Sequence, residues 1–262
     1  MFDLQQDTIK RIVEDLRRSR RLLFVTGAGI SADSGLPTYR GIGGLYNEEL
    51  TEESLPIEVA LSGEMMETAP HIPWKYIHQI EQSCRGASCN TAHRIIAEMQ
   101  NHFDVWVLTQ NIDGFHRDAG SLNLIEIHGD IHDLHCTACS YKTTVLHYAD
   151  LDIPPSCPNC RAVLRPRVVL FGELLPEQSI TLLYQQLGLG FDMVFSIGTT
   201  SVFPYIAGPV IEASRAGVPT VEINPGQTTV SGYVDYKVAA GAADTLDRIW
   251  QTYLEVALLP ER

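Results

Sequence analysis

The stretch Leu22-Leu23-Phe24-Val25-Thr26-Gly27-Ala28-Gly29-Ile30-Ser31-Ala32 restricts the fold of this chain more than any other. An apolar run that stops at Gly-x-Gly-x-x-Ala has the form of a buried strand turning into a helix N-terminus. Its glycines let the backbone approach a pyrophosphate. An ordinary dinucleotide fold would continue with a long helix, a second strand and a ribose-binding acid. Here the chain runs on as Asp33-Ser34-Gly35-Leu36-Pro37-Thr38-Tyr39-Arg40-Gly41, which cannot continue as a long regular helix. The turn therefore leads into an arginine-bearing loop.

Further apolar runs supply the rest of a sheet. Residues 21–26, 103–109, 123–127, 191–197 and 218–223 read as strands, and the runs at 103–108 and 191–197 are nearly continuous in apolar character, as strands buried on both faces are. Helical spacing appears between them at 90–100, 204–216 and 243–257, with Gly217 a suitable C-cap for the second of these. Alternating strands and helices imply an α/β fold, a Rossmann-like doubly wound parallel sheet. Two stretches break the rhythm. Residues 42–88 are helical in pattern but carry Pro56, Pro70 and Pro73, and residues 130–167 are rich in Cys, His and Pro. We expect 1–41, 89–129 and 168–262 to form one discontinuous Rossmann-like domain. Residues 42–88 and 130–167 form a smaller inserted domain, a helical module plus a zinc ribbon.

Composition narrows the partners. A formal charge of −13 over 262 residues disfavours nucleic acid and anionic membranes. The N-terminal segment lacks the apolar core of a signal peptide and reads as an amphipathic helix, and no apolar run approaches the ~20 residues of a membrane span. The expectation is a cytoplasmic protein without a membrane association; oligomeric state is not readable.

Of six cysteines, Cys136, Cys139, Cys157 and Cys160 form C-x2-C-x17-C-x2-C. Each pair makes a knuckle that points two thiolates at one ion, and four thiolates leave no open coordination position, so one structural zinc is expected. His132 and His135 lie nearby but are surplus to that set. Cys84 and Cys89 have the wrong spacing for a knuckle and read as free thiols.

Polar residues follow several strands, where open α/β sheets bind ligands. Gln110, Asn111, Ile112 and Asp113 follow one, His128 another, Gly198-Thr199-Thr200 a third and Asn224 a fourth. In order and spacing, GAGISADSGLPTYRG (27–41), TQNIDGFHRDAG (109–120), IHG (127–129), the four cysteines, RPRVVLFGE (165–173), IGTTSVFP (197–204) and EIN (222–224) resemble the sirtuins, NAD-dependent protein-lysine deacylases. The resemblance covers about residues 10–250.

It implies that NAD is consumed as a co-substrate. Gly27, Ala28, Gly29 and Ser31 would approach the pyrophosphate, and the loop with Tyr39 and Arg40 would close over the cofactor. Asn111, a catalytic residue with His128, would hold the ribose or an ordered water, and Gln110 would support the ribose side. Asp113 would orient the nicotinamide carboxamide, and Ile112 would also contact the cofactor. Gly198, Thr199, Thr200 and Asn224 would hold the adenosine half, with Ala242 near the adenine. By the same resemblance the acyl-lysine oxygen attacks the ribose C1′ as nicotinamide leaves. His128 acts as general base on the ribose hydroxyls, and the products are free lysine and 2′-O-acyl-ADP-ribose. The peptide would pair with the edge Val168-Val169-Leu170-Phe171-Gly172-Glu173, opposite Val202 and Phe203. Relatives that take dicarboxylate acyl groups carry Tyr-x-x-Arg beneath the acyl pocket. Ile77 and Ile80 align there in this chain, which implies a preference for uncharged acyl groups. A cofactor-sensing module and a mono-ADP-ribosyltransferase are the competing readings.

Overall fold

The computed structural model describes residues 2–37 and 50–257. In chain order, helix α1 (Phe2–Leu16) precedes strand β1 (Arg21–Thr26). Helices α2 (Ile57–Ala60), α3 (Gly63–Thr68), α4 (His71–Cys84) and α5 (Thr91–Met99) lead to β2 (Asp104–Thr109). Helix α6 (Phe115–Asp118) and β3 (Leu124–Glu126) come next, followed by β4 (Gly129–Cys136), β5 (Lys142–Thr144) and β6 (Leu164–Val168). The chain closes with α7 (Glu177–Leu189), β7 (Met193–Ile197), α8 (Pro204–Arg215), β8 (Thr220–Ile223), β9 (Tyr236–Val238) and α9 (Ala242–Ala257).

Six strands form one parallel sheet in the order β3-β2-β1-β7-β8-β9. Counted within that sheet, this is the 3-2-1-4-5-6 order of dinucleotide-binding folds, and the strand order reverses between β1 and β7. Alternation along β1 sends Leu22 and Phe24 into one apolar cluster and Leu23 and Val25 into another. The first cluster receives Ile9, Ile12 and Leu16 from α1, Ile95 and Ile96 from α5, and Leu246 and Trp250 from α9. The second receives Leu183 from α7 and Ile206 and Val210 from α8. Each such side chain contributes about 1.5–3 kcal/mol on full burial. Phe24 and Phe195 stack across β1 and β7 with centroids 4.7 Å apart.

Register decides where the loops emerge. Thr26 pairs with Thr109 and with Ile197, Thr109 with Glu126, and Ile197 with Ile223. Five strands thus end in one row, and everything polar that follows them lies along one edge.

A second, antiparallel sheet runs β5-β4-β6. Its apolar side meets the helices of 57–84 in a shared cluster: Trp74, Ile77 and Ile80 pack with Ile131, Leu134, Tyr148, Val168 and Leu170. Trp74 is fully buried and donates its Nε1–H to the Leu164 carbonyl at 3.0 Å. Where a longer helix would open in an ordinary dinucleotide fold, the chain makes two short 3-10 turns, Ala28–Ile30 and Ala32–Ser34, the second ended by Gly35 at φ +83°. The sequence reading did not give β9, α6, α7 or the division of the cysteine-rich segment into three strands. No described helix is long and apolar enough to cross a membrane.

Candidate active site and metal centre

The crevice lies at the strand-order reversal, and glycines bring its two walls together. The Gly27 N–H donates to the Ile197 carbonyl at 3.0 Å and the Gly29 N–H to the Gly198 carbonyl at 2.8 Å. A Cβ on Gly29 would sit 2.6 Å from Gly198 Cα, and Gly198 itself has φ +60°. The turn after β1 therefore rests directly on the turn after β7.

Side chains from the neighbouring strand ends cross this seam. Gln110 donates to Thr199 Oγ1 at 2.7 Å, and Asn224 donates to the Thr199 carbonyl at 3.1 Å. Asn111 is buried and its Nδ2 faces the Gly27 carbonyl at 3.2 Å and Ser31 Oγ at 3.3 Å. The Ser31 hydroxyl donates to Asp113 at 2.7 Å, and the Phe115 N–H donates to the other carboxylate oxygen at 3.0 Å. Burial raises the Asp113 carboxyl above its ordinary value, while those two donors pull the other way. Ala28, Ser31, Leu36, Pro37, Ile80, Ser83, Cys84, Asn111 and Asp113 line an open cleft. Cys84 is pushed up to about 12, chiefly by burial, and stays a thiol.

His128 lies between β3 and β4, two residues past the end of the first and just before the second, so it stands where the large sheet hands over to the small one. Its Nδ1 lies 3.1 Å from the Gln110 carbonyl and its Nε2 2.7 Å from the Tyr205 hydroxyl. A carbonyl oxygen can only accept, so Nδ1 carries the proton and Nε2 keeps its lone pair. Burial lowers the imidazole below its ordinary value, which favours the neutral form. A neutral histidine whose Nε2 keeps a lone pair can take a proton from a hydroxyl that reaches it.

Most of the sequence-predicted residues converge here, including Gly27, Ala28, Gly29, Ser31, Gln110, Asn111, Asp113, Gly198, Thr199 and Asn224. Ile112 packs at the margin of the small-sheet cluster, and Thr200 is exposed on the loop whose carbonyl accepts from Thr229 N–H at 3.2 Å. The Ala242 side chain is not brought to the cleft but packs into the main core at the start of α9, where Asp33 accepts from the next N–H. Tyr39 and Arg40 lie outside the described residues.

The Val168–Glu173 stretch is more fully bonded than an open edge. The Val169 N–H donates to the His128 carbonyl, the Phe171 N–H to the Leu61 carbonyl, and Gly63 donates to the Phe171 carbonyl. Glu173 accepts from Leu170 N–H at 2.9 Å and is gripped by Arg165 at 2.6 Å. Phe171 within it is exposed, as are Val202 and Phe203 of the loop before α8. Sequence reasoning missed Arg165 and Tyr205. The available signal for Tyr205 was its place just after Pro204, in the first turn of a helix that follows a strand-end loop.

The sulfurs of Cys136, Cys139, Cys157 and Cys160 all lie within 4.8 Å of one another. Cys136 and Cys160 are 3.4 Å apart and Cys139 and Cys157 3.6 Å. A tetrahedral ion with metal–sulfur bonds of about 2.3 Å would set its ligands roughly 3.8 Å apart, so the donor set fits one zinc. The Ala138 N–H donates to Cys136 Sγ, a bond that favours the thiolate a metal requires. His132 instead bonds Asp130 at 3.1 Å, and neither His132 nor His135 belongs to the sulfur cluster.

Comparisons with known proteins agree with this geometry. A family model described as "Sir2 family" matches residues 27–204. The "NAD-dependent protein deacylase 2" of Pseudomonas aeruginosa is 50% identical over 245 residues, covering 92% of this chain and 95% of the relative. The "NAD-dependent protein deacylase" of Pyrococcus furiosus is 34% identical over 241 residues, covering 89% of this chain and 93% of the relative. Among solved structures, a Sir2 homologue–NAD complex matches with TM-score 0.83 at 29% identity, covering 94% of each chain. A Sir2–p53 peptide–NAD+ complex matches with TM-score 0.80 at 26% identity, covering 93% of this chain and 98% of that one.

Proposed function

The chain belongs to the Sir2 family, and on that premise we propose that its strand-end crevice works as an NAD-consuming deacylation site with His128 as the general base. The protein is an NAD-dependent protein deacylase that acts on acyl-lysine in proteins or peptides. The observation that carries the base assignment is the bonding of one imidazole: Nδ1 is committed to a backbone carbonyl, which leaves Nε2 as the proton acceptor.

NAD would supply a ribose carbon that the acyl oxygen attacks as nicotinamide leaves, and the neighbouring ribose hydroxyl that carries the acyl group away. The residues of this chain do the rest. Gly27, Ala28, Gly29 and Ser31 lie against the pyrophosphate, and at the two glycines even a Cβ would collide with the Gly198-Thr199 turn. Gly198, Thr199, Thr200 and Asn224 hold the adenosine half, and Ala242 contributes only its backbone end. Gln110 and Asn111 position the ribose, and Asp113, with Ile112 beside it, accepts from the nicotinamide carboxamide. Tyr39 and Arg40 are assigned to the covering loop. His128 takes a ribose hydroxyl proton at Nε2 and so generates the oxygen that attacks the acyl carbon. The peptide backbone docks at Gly172, next to Val168–Phe171 and Glu173 and facing Val202 and Phe203.

Uncharged acyl groups are preferred. Ile80 lines the cleft, Ile77 lies one turn before it in the same apolar cluster, and the Tyr76 hydroxyl is engaged by Glu53. A dicarboxylate acyl chain would bring its charge beside Ile80 and Asp113, and among the described residues that line the cleft there is no cation to pair with it.

The test is turnover of NAD with an acetyl-lysine peptide, followed by mass spectrometry. Nicotinamide, free-lysine peptide and O-acyl-ADP-ribose should appear in equal amounts, only with acylated peptide, and His128→Ala should remove them while NAD still binds. Protein-attached ADP-ribose as the sole product, or NAD binding with no turnover, overturns the proposal.

A further inference from the structure

Tyr205 has no place in the scheme above, yet it makes the shortest contact to the proposed base. Its hydroxyl lies 2.7 Å from His128 Nε2, the atom that must receive the proton. The phenol sits in the first turn of α8, and its ring meets the imidazole edge-on, with centroids 5.9 Å apart and planes at 81°. Phe203 stacks on the Tyr205 ring at 5.4 Å and 13° and also meets the imidazole edge-on. Three rings thus fix one another's orientation.

The donor and acceptor roles are determined by the other nitrogen. With Nδ1–H given to the Gln110 carbonyl, Nε2 can only accept, so the phenol is the donor. Burial pushes the Tyr205 phenol up to about 12, so it keeps its proton throughout the neutral range. We infer that Tyr205 is a positioning residue that caps the base: its O–H occupies the Nε2 lone pair of resting His128, holds the imidazole as the Nδ1–H tautomer, and yields that lone pair to a substrate hydroxyl. The exchange replaces one neutral hydrogen bond with another. No proton is transferred by the tyrosine.

The inference rests on the reading of His128 as the base, and its consequence can be measured without turnover. A donor to Nε2 stabilises the neutral imidazole, so removing it raises the histidine pKa. The groups that face the ring are the Gln110 carbonyl beyond β2, the Tyr205 hydroxyl from α8 and the Phe203 ring. Among the described residues no charged side chain contributes to its shift.

Long-range 1H–15N spectra of histidine-labelled, ligand-free enzyme read both tautomer and pKa. The wild type should show His128 protonated at Nδ1, titrating below the ordinary value of 6.5. In Tyr205→Phe the midpoint should rise by roughly half to one pH unit, the size that one neutral hydrogen bond carries. The acid limb of kcat/KM should rise with it. A purely structural role would lower activity equally at every pH. An Nε2–H tautomer in the wild type refutes the inference even if the variant does not fold, and so does an unmoved midpoint in a folded variant. If His128→Ala kept full activity, the base assignment would fall while the spectra would still decide whether Tyr205 holds the ring.

Discussion

Gly29→Ala places the smallest possible probe at the contact between the two strand-end turns. The added Cβ would lie 2.6 Å from Gly198 Cα, 2.9 Å from its oxygen and 3.1 Å from its carbonyl carbon, all backbone atoms that cannot rotate away. Ordinary contact begins near 3.4 Å, so the turns must part by 3.4 − 2.6, about 0.8 Å. That movement stretches the Gly29 N–H to Gly198 carbonyl bond from 2.8 Å to about 3.6 Å, beyond hydrogen-bond range. Overpacking costs about 1–3 kcal/mol and the lost bond about 1, for a total of about 2–4 kcal/mol. Because the displaced atoms form the proposed pyrophosphate seat, NAD affinity should fall by at least about tenfold. Gly208, in the middle of α8, is the control: a Cβ there meets nothing within 4 Å. Gly208→Ala should be neutral or stabilising by up to about 1 kcal/mol. Urea unfolding and calorimetric NAD titration of both variants decide the matter. A Gly29→Ala protein with wild-type stability and NAD affinity would refute the claim that the two turns form one rigid seat.

Acid should weaken the fold before it reaches the carboxylates. Burial lowers His93 from 6.5 to about 4 and His116 well below 6.5, so between those values the unfolded chain binds protons that the folded one does not. Stability is therefore fully present above pH 6.5 and is lost as pH falls toward 4, with about 2 kcal/mol gone at pH 5 from His93 alone; urea midpoints that do not change between pH 7.5 and 5 would contradict this. Elemental analysis should find one zinc per chain. Chelation or Cys157→Ser should remove it and melt the β5-β4-β6 sheet, whereas an unchanged melting curve would rule out a structural ion. Desuccinylation on a matched peptide should run at least about 100-fold below deacetylation in kcat/KM, because an unpaired carboxylate buried beside Ile80 and Asp113 costs several kcal/mol. Equal rates would remove the specificity argument from Ile80.

The large sheet was legible because its strands are short apolar runs that end in polar residues, a pattern local to each segment. The zinc ligands were legible for the same reason, since C-x2-C spacing alone aims two sulfurs at one point. What escaped was set by distant partners. β9 is three residues long and exists only through its pairing with β8. β4 and β6 alternate polar and apolar residues weakly, and what marks them is each other. Val168–Phe171 reads as an open edge until Leu61 and Gly63, about a hundred residues earlier, are seen bonding to it. The resemblance implies Ala242 as a ligand contact, and its side chain packs into the core, which leaves its backbone for that role. Tyr205 lies 77 residues from His128, and no spacing rule connects the two.

The most direct test is a crystal structure with an unreactive NAD analogue and an acyl-lysine peptide bound together. We expect the His128 Nε2 within about 3.2 Å of a ribose hydroxyl, directly or through one water, with the acyl oxygen facing the ribose carbon beside Asn111. An imidazole still bonded to Tyr205 and more than about 6 Å from the sugar, in a ternary complex with both ligands ordered, would contradict the assignment of the base.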